Sequence, residues 1–223
     1  MSVSFTQQDD LVFLIEIEPA RRLDTESWTQ DGTYTNCYYL SHPEGKPSRV
    51  QENGTDYTER ASLSDCDSNA SSWYYDSSSN RLYVHTSGSD DPGGGSYIIA
   101  SYWWEYYTNK QYVHPDEIVF NGKFYLPFLD DASIPEINLA ISDFSEGGIQ
   151  KSIGPIRLIN ADGYFDQRLH DYIYMAKKIL IKIGKKGASY NDYITLWNGW
   201  TGNITWMDLY IEIAVEDLRK FVL

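Results

Sequence analysis

Short segments in which apolar and polar residues alternate run through most of the sequence, whereas apolar residues at helical spacing are nearly absent. In the first such segment, Leu11, Phe13, Ile15 and Ile17 fall on one face of an extended chain. Alternation with a period of two is typical of β-strands that bury one face. Because turns rich in Gly and Asn separate these segments, the sequence predicts an all-β protein built as an antiparallel β-barrel or β-sandwich.

Turn signals and one weak helix signal complete the local pattern. The dipeptides that predict turns are Asn53-Gly54, Asn121-Gly122 and Asp162-Gly163. Asn and Gly both tolerate a positive φ, so the first two predict hairpins and the third a tight turn.

Residues 160–166 imitate part of a calcium loop, but the acid that should come two residues earlier and the closing Glu are both missing. A helix fits only over 166–177, and we expect at most one or two short helices.

A loop of small residues over 87–96 is the best candidate for a boundary or an insertion point. We predict an N-terminal strand with a loop-rich β decoration over 1–95 and the main β-barrel body over 96–223, with one continuous domain as the alternative. The Ser- and Asp-rich stretch 62–79 is predicted as loop. Residues 97–107 are predicted as one long strand.

The charge and the hydropathy exclude several classes of protein. The 223 residues contain 18 Lys and Arg against 32 Asp and Glu, a net charge of −14. A surface that binds nucleic acid specifically needs the opposite sign. The longest apolar run, residues 11–15, is far shorter than the ~20 residues that span a bilayer. The N-terminus has neither a basic nor an apolar signal region. We therefore expect no specific nucleic-acid binding, no membrane insertion and no secretory leader.

No motif for catalysis, metal binding or a cofactor stands out. The histidines are His42, His85, His114 and His170, and none has a nucleophile motif nearby, so we expect satisfied polar or surface residues. Glu16 with Glu18, and the Asp130-Asp131 dyad, are carboxylate pairs of the kind that glycoside hydrolysis uses. With 32 acids in the chain, such pairs arise by chance. We predict no catalytic residue, no metal and no cofactor.

The two cysteines are Cys37 and Cys66. Two cysteines form neither a zinc motif nor a disulfide framework. The sequence leaves open whether they meet.

An aromatic run is the most unusual local feature of the sequence. Its members are Tyr102, Trp103, Trp104, Tyr106 and Tyr107. Three interpretations are open: core residues with cross-strand aromatic pairs, a subunit interface, or a platform on which a sugar ring stacks. We treat the five as candidate interface or ligand-stacking residues.

The second half of the chain resembles a known family in the order of its strands and turns. A strand ending in N-x-D-G-x-F-D (156–166) is followed by a strand ending in Gly (178–184), a W-x-G turn (196–204) and a strand ending in Asp (210–217). This order is similar to the β-barrel domain of tailed-bacteriophage tail-tip and baseplate-hub proteins. The segment 73–85 also resembles a W-Y-Y-D…L-Y-V-H hairpin of predicted phage structural proteins.

The resemblance implies a mechanical role. Such barrels assemble as trimers or hexamers that connect the tail tube to the spike or fibre apparatus, and they have no catalytic residues to carry over. It implies homo-oligomers and contacts with other tail proteins, in a chain made in the host cytoplasm that ends in the virion. A carbohydrate- or receptor-binding β-sandwich module is the alternative, and a glycoside hydrolase is a lesser one.

Overall fold

The structure, a computed structural model, describes residues 11–94, 96–111, 113, 119–130, 137–141 and 149–216. The chain divides into two compact units. Unit 1 consists of Met1–Pro19 and Trp104–Leu223, and unit 2 is Ala20–Trp103. The boundary predicted after residue 95 falls inside unit 2, because the strand that follows it pairs only with strands of that unit.

The prediction of an all-β protein is confirmed, and the described residues contain two short helices. The helices are α1 (Leu63–Asp67) and α2 (Tyr164–Asp171). The strands are β1 (Leu11–Ile17), β2 (Ala20–Arg22), β3 (Thr29–Gln30), β4 (Tyr38–Ser41), β5 (Arg49–Glu52), β6 (Thr55–Asp56), β7 (Thr58–Glu59), β8 (Ser72–Asp76), β9 (Arg81–His85), β10 (Ile99–Tyr102), β11 (Glu105–Thr108), β12 (Ile137–Ile141), β13 (Ile149–Ile153), β14 (Ile156–Ile159), β15 (Lys178–Lys185), β16 (Ile194–Trp206) and β17 (Tyr210–Glu216). One 3₁₀ turn covers Tyr190–Asp192.

Unit 1 is built on a curled six-stranded antiparallel sheet in the order β11-β1-β15-β16-β17-β14. β12 and β13 form a separate hairpin. The register of β1 against β15 places Ile15 opposite Ile181 and Ile17 opposite Ile179. These alternating residues point into one core, and the intervening Val12 and Leu14 belong to a second core on the other face. Both faces of the sheet are therefore covered, which explains why β1 is apolar at nearly every position.

The segment from Leu126 to Asp130 bridges the two edge strands of this sheet. The Leu126 carbonyl accepts from the Thr108 amide of β11 at 2.8 Å, and the Phe128 carbonyl accepts from the Ile159 amide of β14 at 2.6 Å. The Asp130 amide donates to a backbone carbonyl of β14, with an N···O distance of 3.1 Å. The backbone groups that an open sheet would leave unpaired at its edges are thus partly satisfied within the chain.

Helix α2 begins at the turn that the sequence predicts. Gly163 has φ +73°, a conformation that favours glycine. The Asn160 side chain accepts from the Phe165 amide at 2.8 Å, and Asp162 accepts from the Tyr164 amide at 3.2 Å. Phe165 is fully buried in the main core of unit 1. The turn and its side-chain hydrogen bonds therefore place α2 against the sheet.

Unit 2 contains two small sheets, ordered β2-β10-β5-β6 and β3-β4-β9-β8-β7. Their shared core includes Val50 and Ile99 from the first sheet and Trp73, Leu82 and Val84 from the second. All pairings are antiparallel except that of β7 with β8. The unit is a small two-sheet β structure inserted between β1 and β11, which are themselves neighbours in the sheet of unit 1.

Both Asn-Gly turns are confirmed. Asn53 and Gly54 have φ of 51° and 83° between β5 and β6. Asn121 and Gly122 have φ of 51° and 72° inside a Phe120–Lys123 bridge. Residues 114–118, which would begin the second predicted hairpin, lie outside the described residues.

Three local predictions are wrong. Residues 97–107 form two strands in different sheets, because β10 pairs with unit 2 and β11 with β1. Helix α2 starts and ends earlier than 166–177, and Tyr172 is already extended. The stretch 62–79 contains α1 and β8 as well as loop. Helix α1 forms because the Ser62 hydroxyl caps its N-terminus and its inner face is buried.

Candidate functional site

The predicted aromatic run is mostly core. Tyr102, Trp103 and Tyr107 are buried, whereas Trp104 and Tyr106 are half-buried. The Arg49 guanidinium lies 3.8 Å from the centre of the Tyr102 ring. Burial removes three of the five residues from contact with any ligand or partner. The interpretation as a binding surface remains a prediction only for Trp104 and Tyr106.

One group in unit 2 has the composition of a nucleophilic triad. His42 Nε2 lies 2.9 Å from Ser101 Oγ, and His42 Nδ1 lies 2.8 Å from the Gly45 carbonyl and 3.5 Å from Glu44 Oε2. A carbonyl only accepts, so Nδ1 carries the proton and Nε2 accepts from the serine. Burial lowers the pKa of His42. Ser101 and His42 are both fully buried, so no substrate can reach this hydroxyl.

The other histidines fall into three situations. His85 is buried, with Nδ1 2.9 Å from the Cys66 carbonyl and Nε2 2.8 Å from Ser89 Oγ. His170 is exposed, with Nδ1 2.9 Å from Asp171 Oδ1. His114 lies outside the described residues. His42 and His85 are satisfied polar residues of the core, as the sequence predicts.

The first pair of candidate acids, Glu16 in β1 and Glu18 just after it, is buried. Glu16 accepts hydrogen bonds from Tyr125 and Tyr190, each at 2.7 Å, and from Lys123 at 2.6 Å. Of the second pair, Asp130 is placed by its backbone bond to β14, and Asp131 lies outside the described residues.

A second buried carboxylate occupies the opposite face of the sheet. Glu105 accepts from Tyr107 at 2.5 Å and from Tyr174 and Arg168, each at 2.7 Å. Burial, followed by the charge of Glu105, raises the pKa of both tyrosines well above 10. The two hydroxyls therefore keep their protons and donate, and the arginine supplies the opposite charge. This arrangement stabilises a buried anion, with a donor on each of its two oxygens.

One open groove lies between α2 and the end of β16. Its volume is about 520 Å³, and its walls are formed by Asp166, Leu169, His170, Ile204 and Trp206. The Trp206 side chain is 52% exposed although it points to the same face as core residues of β17. The groove thus combines apolar side chains with one carboxylate and one imidazole. Volumes of about 300–1,000 Å³ are typical of small-molecule sites.

The polar groups of the groove are held in place by neighbours. Asp166 Oδ1 accepts from Asn160 Nδ2 at 2.7 Å, which orients the carboxylate. His170 Nδ1 lies 2.9 Å from Asp171 Oδ1. No local sequence pattern predicts this site, because α2 and β16 are far apart in the chain. The one local signal was a tryptophan at the end of an alternating strand.

Exposed apolar side chains concentrate on unit 1. Of the nine large ones among the described residues, Ile98 belongs to unit 2, and the others are Val119, Phe124, Ile159, Ile173, Met175, Ile194, Trp206 and Leu209. Three of these lie near one end of the sheet, since the Leu209 carbonyl accepts from the residue after Ile159, and Trp206 precedes the same turn, with Ile159 and Trp206 on opposite faces. We call Ile159, Trp206 and Leu209 the apolar end.

The described residues include no group of three or more His, Cys, Asp or Glu side chains arranged to hold a metal ion. None of the helices in the described part of the chain is long and apolar enough to cross a membrane. Comparison with protein-family models, with curated proteins and with solved structures finds no match to this chain.

Proposed function

We propose that the chain is a structural subunit of a tailed-bacteriophage virion, placed at the tail tip or baseplate hub. Copies of it form a ring, a trimer or a hexamer, that connects the tail tube to the spike or fibre apparatus. The observation that carries the proposal is the concentration of exposed apolar side chains on unit 1. Subunit contacts favour such surface, because its burial releases it from water.

The resemblance to tail-hub barrels supports the same role. The segments on which it rests correspond to β14 with α2, β15, β16 and β17, and these four strands are neighbours in one sheet. They therefore form one structural module. The net charge of −14 suits a passage through which DNA must slide without binding. The role requires no catalytic residue and no cofactor.

We assign the apolar end to the subunit contact. Leu209 is 64% exposed at the tip of the β16–β17 hairpin, and Trp206 lies at the start of that turn. A contact repeated around a ring is heterologous, so the apolar end of one copy meets a different surface of the next. Substituting one residue at this end therefore weakens every contact in the ring.

Light scattering of the purified full-length chain over a wide concentration range tests the ring. We expect a discrete trimer or hexamer, and we expect Leu209→Asp to shift it to the monomer. Asn203→Asp is the matched control, because it adds the same charge at an exposed position of the same hairpin. A monomer at every concentration contradicts the ring, and an oligomer that survives Leu209→Asp contradicts the assignment of the apolar end.

The groove beside Trp206 favours saccharide binding as a second candidate function. The flat indole can pack against the apolar face of a pyranose ring, while Asp166 and His170 can hydrogen-bond to its hydroxyl groups. Receptor recognition at the bacterial surface is compatible with a place at the tail tip. The alternative of a glycan-binding module thus has a site other than the aromatic run.

A glycan array with four proteins separates the two candidate sites. The proteins are the wild type, Trp206→Ala, Asp166→Asn and Trp104→Ala. Loss of binding in the first two variants alone places the ligand in the groove. Loss in Trp104→Ala alone places it at the aromatic run. An array without signal for the wild type contradicts saccharide binding. It does not test the ring, which the mass from light scattering tests separately.

A further inference from the structure

The fold of unit 2 brings the only two cysteines of the sequence together. Cys37 precedes β4 and Cys66 lies in α1, and both are fully buried. They share one small core with Tyr83, and neither is in a disulfide. The spacing of the two residues in the sequence does not predict that they are close in the fold.

The backbones on either side of the two cysteines are tied to each other. The Asn36 amide donates to Asp67 Oδ1 at 2.9 Å, and Asn36 Nδ2 donates to the Asp67 carbonyl at 3.2 Å. The residue before one cysteine is thus bound to the residue after the other. These hydrogen bonds hold the backbones next to the two cysteines close together.

Each cysteine is also fixed by its own contacts. The Cys66 carbonyl lies 2.9 Å from His85 Nδ1, and the Ser72 hydroxyl lies 3.4 Å from Cys66 Sγ. The Cys37 carbonyl accepts from the Asp31 amide at 2.9 Å. Both backbones are therefore held where the two side chains enter their shared core.

The two thiols influence each other's ionisation. The neighbouring Cys66 thiol raises the pKa of Cys37, and the neighbouring Cys37 thiol lowers the pKa of Cys66. A hydrogen bond from Ser72 adds to the lowering at Cys66. Cys66 is therefore the thiol that becomes the nucleophilic thiolate more readily.

We propose that Cys37 and Cys66 form an intramolecular disulfide when the protein meets a small-molecule disulfide oxidant. The Cys66 thiolate attacks one sulfur of oxidised glutathione and releases one glutathione thiolate. The Cys37 thiolate then attacks the Cys66 sulfur of the mixed disulfide and releases the second glutathione. The protein loses two protons and two electrons, and the oxidant is reduced to two thiols.

The inference goes beyond the proposed ring and does not depend on it. The cross-link ties α1 to the chain before β4 and closes a loop that contains β4, β5, β6 and β7. Since both cysteines are fully buried, the oxidant reaches them only when α1 opens or before it has docked.

The experiment refolds the full chain in excess oxidised glutathione and, separately, in a reducing buffer. We expect a mass lower by two hydrogen atoms, a single cross-linked peptide pair joining Cys37 to Cys66, no free thiol after denaturation, and a higher melting temperature than in the reduced protein. Two free thiols, a stable glutathione adduct on the wild type, or a disulfide-linked dimer would each overturn the proposal.

Three variants test whether the oxidation requires both cysteines. Cys37→Ser should stop at the glutathione adduct of Cys66, since the resolving thiol is missing. Cys66→Ser should react more slowly with oxidised glutathione. The double variant Cys37→Ala/Cys66→Ala should melt at the same temperature with and without the oxidant, and its circular dichroism reports whether unit 2 still folds. An oxidant-dependent melting temperature in this double variant would contradict the proposed cross-link.

Discussion

Glu16 and Glu105 are diagonal neighbours across the β1–β11 ladder and lie on opposite faces of the same sheet. Glu16 pairs with Tyr106, and Glu105 pairs with Ile17. Each carboxylate is buried and accepts from two tyrosine hydroxyls and one cationic side chain. The sheet of unit 1 thus carries one neutralised anion in each of its two cores. Both are structural, because their accepting oxygens are already occupied.

Removing the charge of Glu105 should destabilise unit 1 strongly. In Glu105→Gln, Arg168 loses its counter-charge, and when the amide oxygen accepts from the two tyrosine hydroxyls the NH2 group faces the Arg168 guanidinium, which cannot accept from it. We expect a loss of about 3 kcal/mol in the free energy of unfolding, measured by urea denaturation. Glu212→Gln is the control, because its pair with Arg157 is partly exposed and should cost less than about 1 kcal/mol. Equal losses in both variants would contradict this account.

Gly184 should not tolerate a side chain. A Cβ atom at this position in β15 would lie 2.5 Å from the ring of the buried Tyr193. We expect Gly184→Ala to lower the free energy of unfolding by about 1–3 kcal/mol through overpacking. Gly32→Ala makes the same substitution where nothing lies within 4 Å, and it should change stability by less than about 0.5 kcal/mol. If Gly184→Ala left the free energy of unfolding unchanged, the Tyr193 ring would have to pack away from this position.

His42 should make unit 2 sensitive to acid. Burial lowers the pKa of His42 from its ordinary value of 6.5, so the unfolded chain binds a proton more readily than the folded one. Stability therefore rises with pH in this window: the contribution of His42 is complete above pH 6.5 and is lost as the pH falls from there toward the lowered value. The slope reaches at most about 1.4 kcal/mol per pH unit.

The charged groups that bear on His42 are Glu44, which raises its pKa, and Arg21, which lowers it. We expect His42→Gln to be less stable at neutral pH and to lose less stability than the wild type between pH 6.5 and 5. Urea denaturation at several pH values measures the difference. His170→Gln, at an exposed histidine, should keep the wild-type slope. Parallel curves for wild type and His42→Gln would refute the assignment.

The bridge from Leu126 to Asp130 should protect the edges of the sheet from hydrogen exchange. The amides of Thr108 and Ile159 donate to Leu126 and Phe128, so they should exchange slowly although they belong to edge strands. Amide exchange followed by NMR provides the measurement, with the central strand β15 as the reference. Exchange at both amides as fast as in an exposed loop would mean that the bridge is absent in solution.

Several elements of the fold could be predicted from local sequence, because their causes are local. The alternation in β1 follows from the two faces of a strand, and the turns at Asn53-Gly54 and Asp162-Gly163 follow from the backbone freedom of those residues. The break between Tyr102 and Glu105 could not be predicted this way. It reflects a change of pairing partners from one unit to the other, which no local pattern encodes.

The sequence by itself determined the class of the protein: strands with a period of two, Gly- and Asn-dependent turns, and an acidic chain without a long apolar helix. Tertiary structure alone decided which aromatic residues are core, where Glu105 finds Arg168, how α2 and Trp206 enclose a groove, and that Cys37 meets Cys66. The physical reason is distance along the chain. Propensity and alternation act over a few residues, whereas burial, ion pairing and thiol contact join residues that only strand order and register bring together.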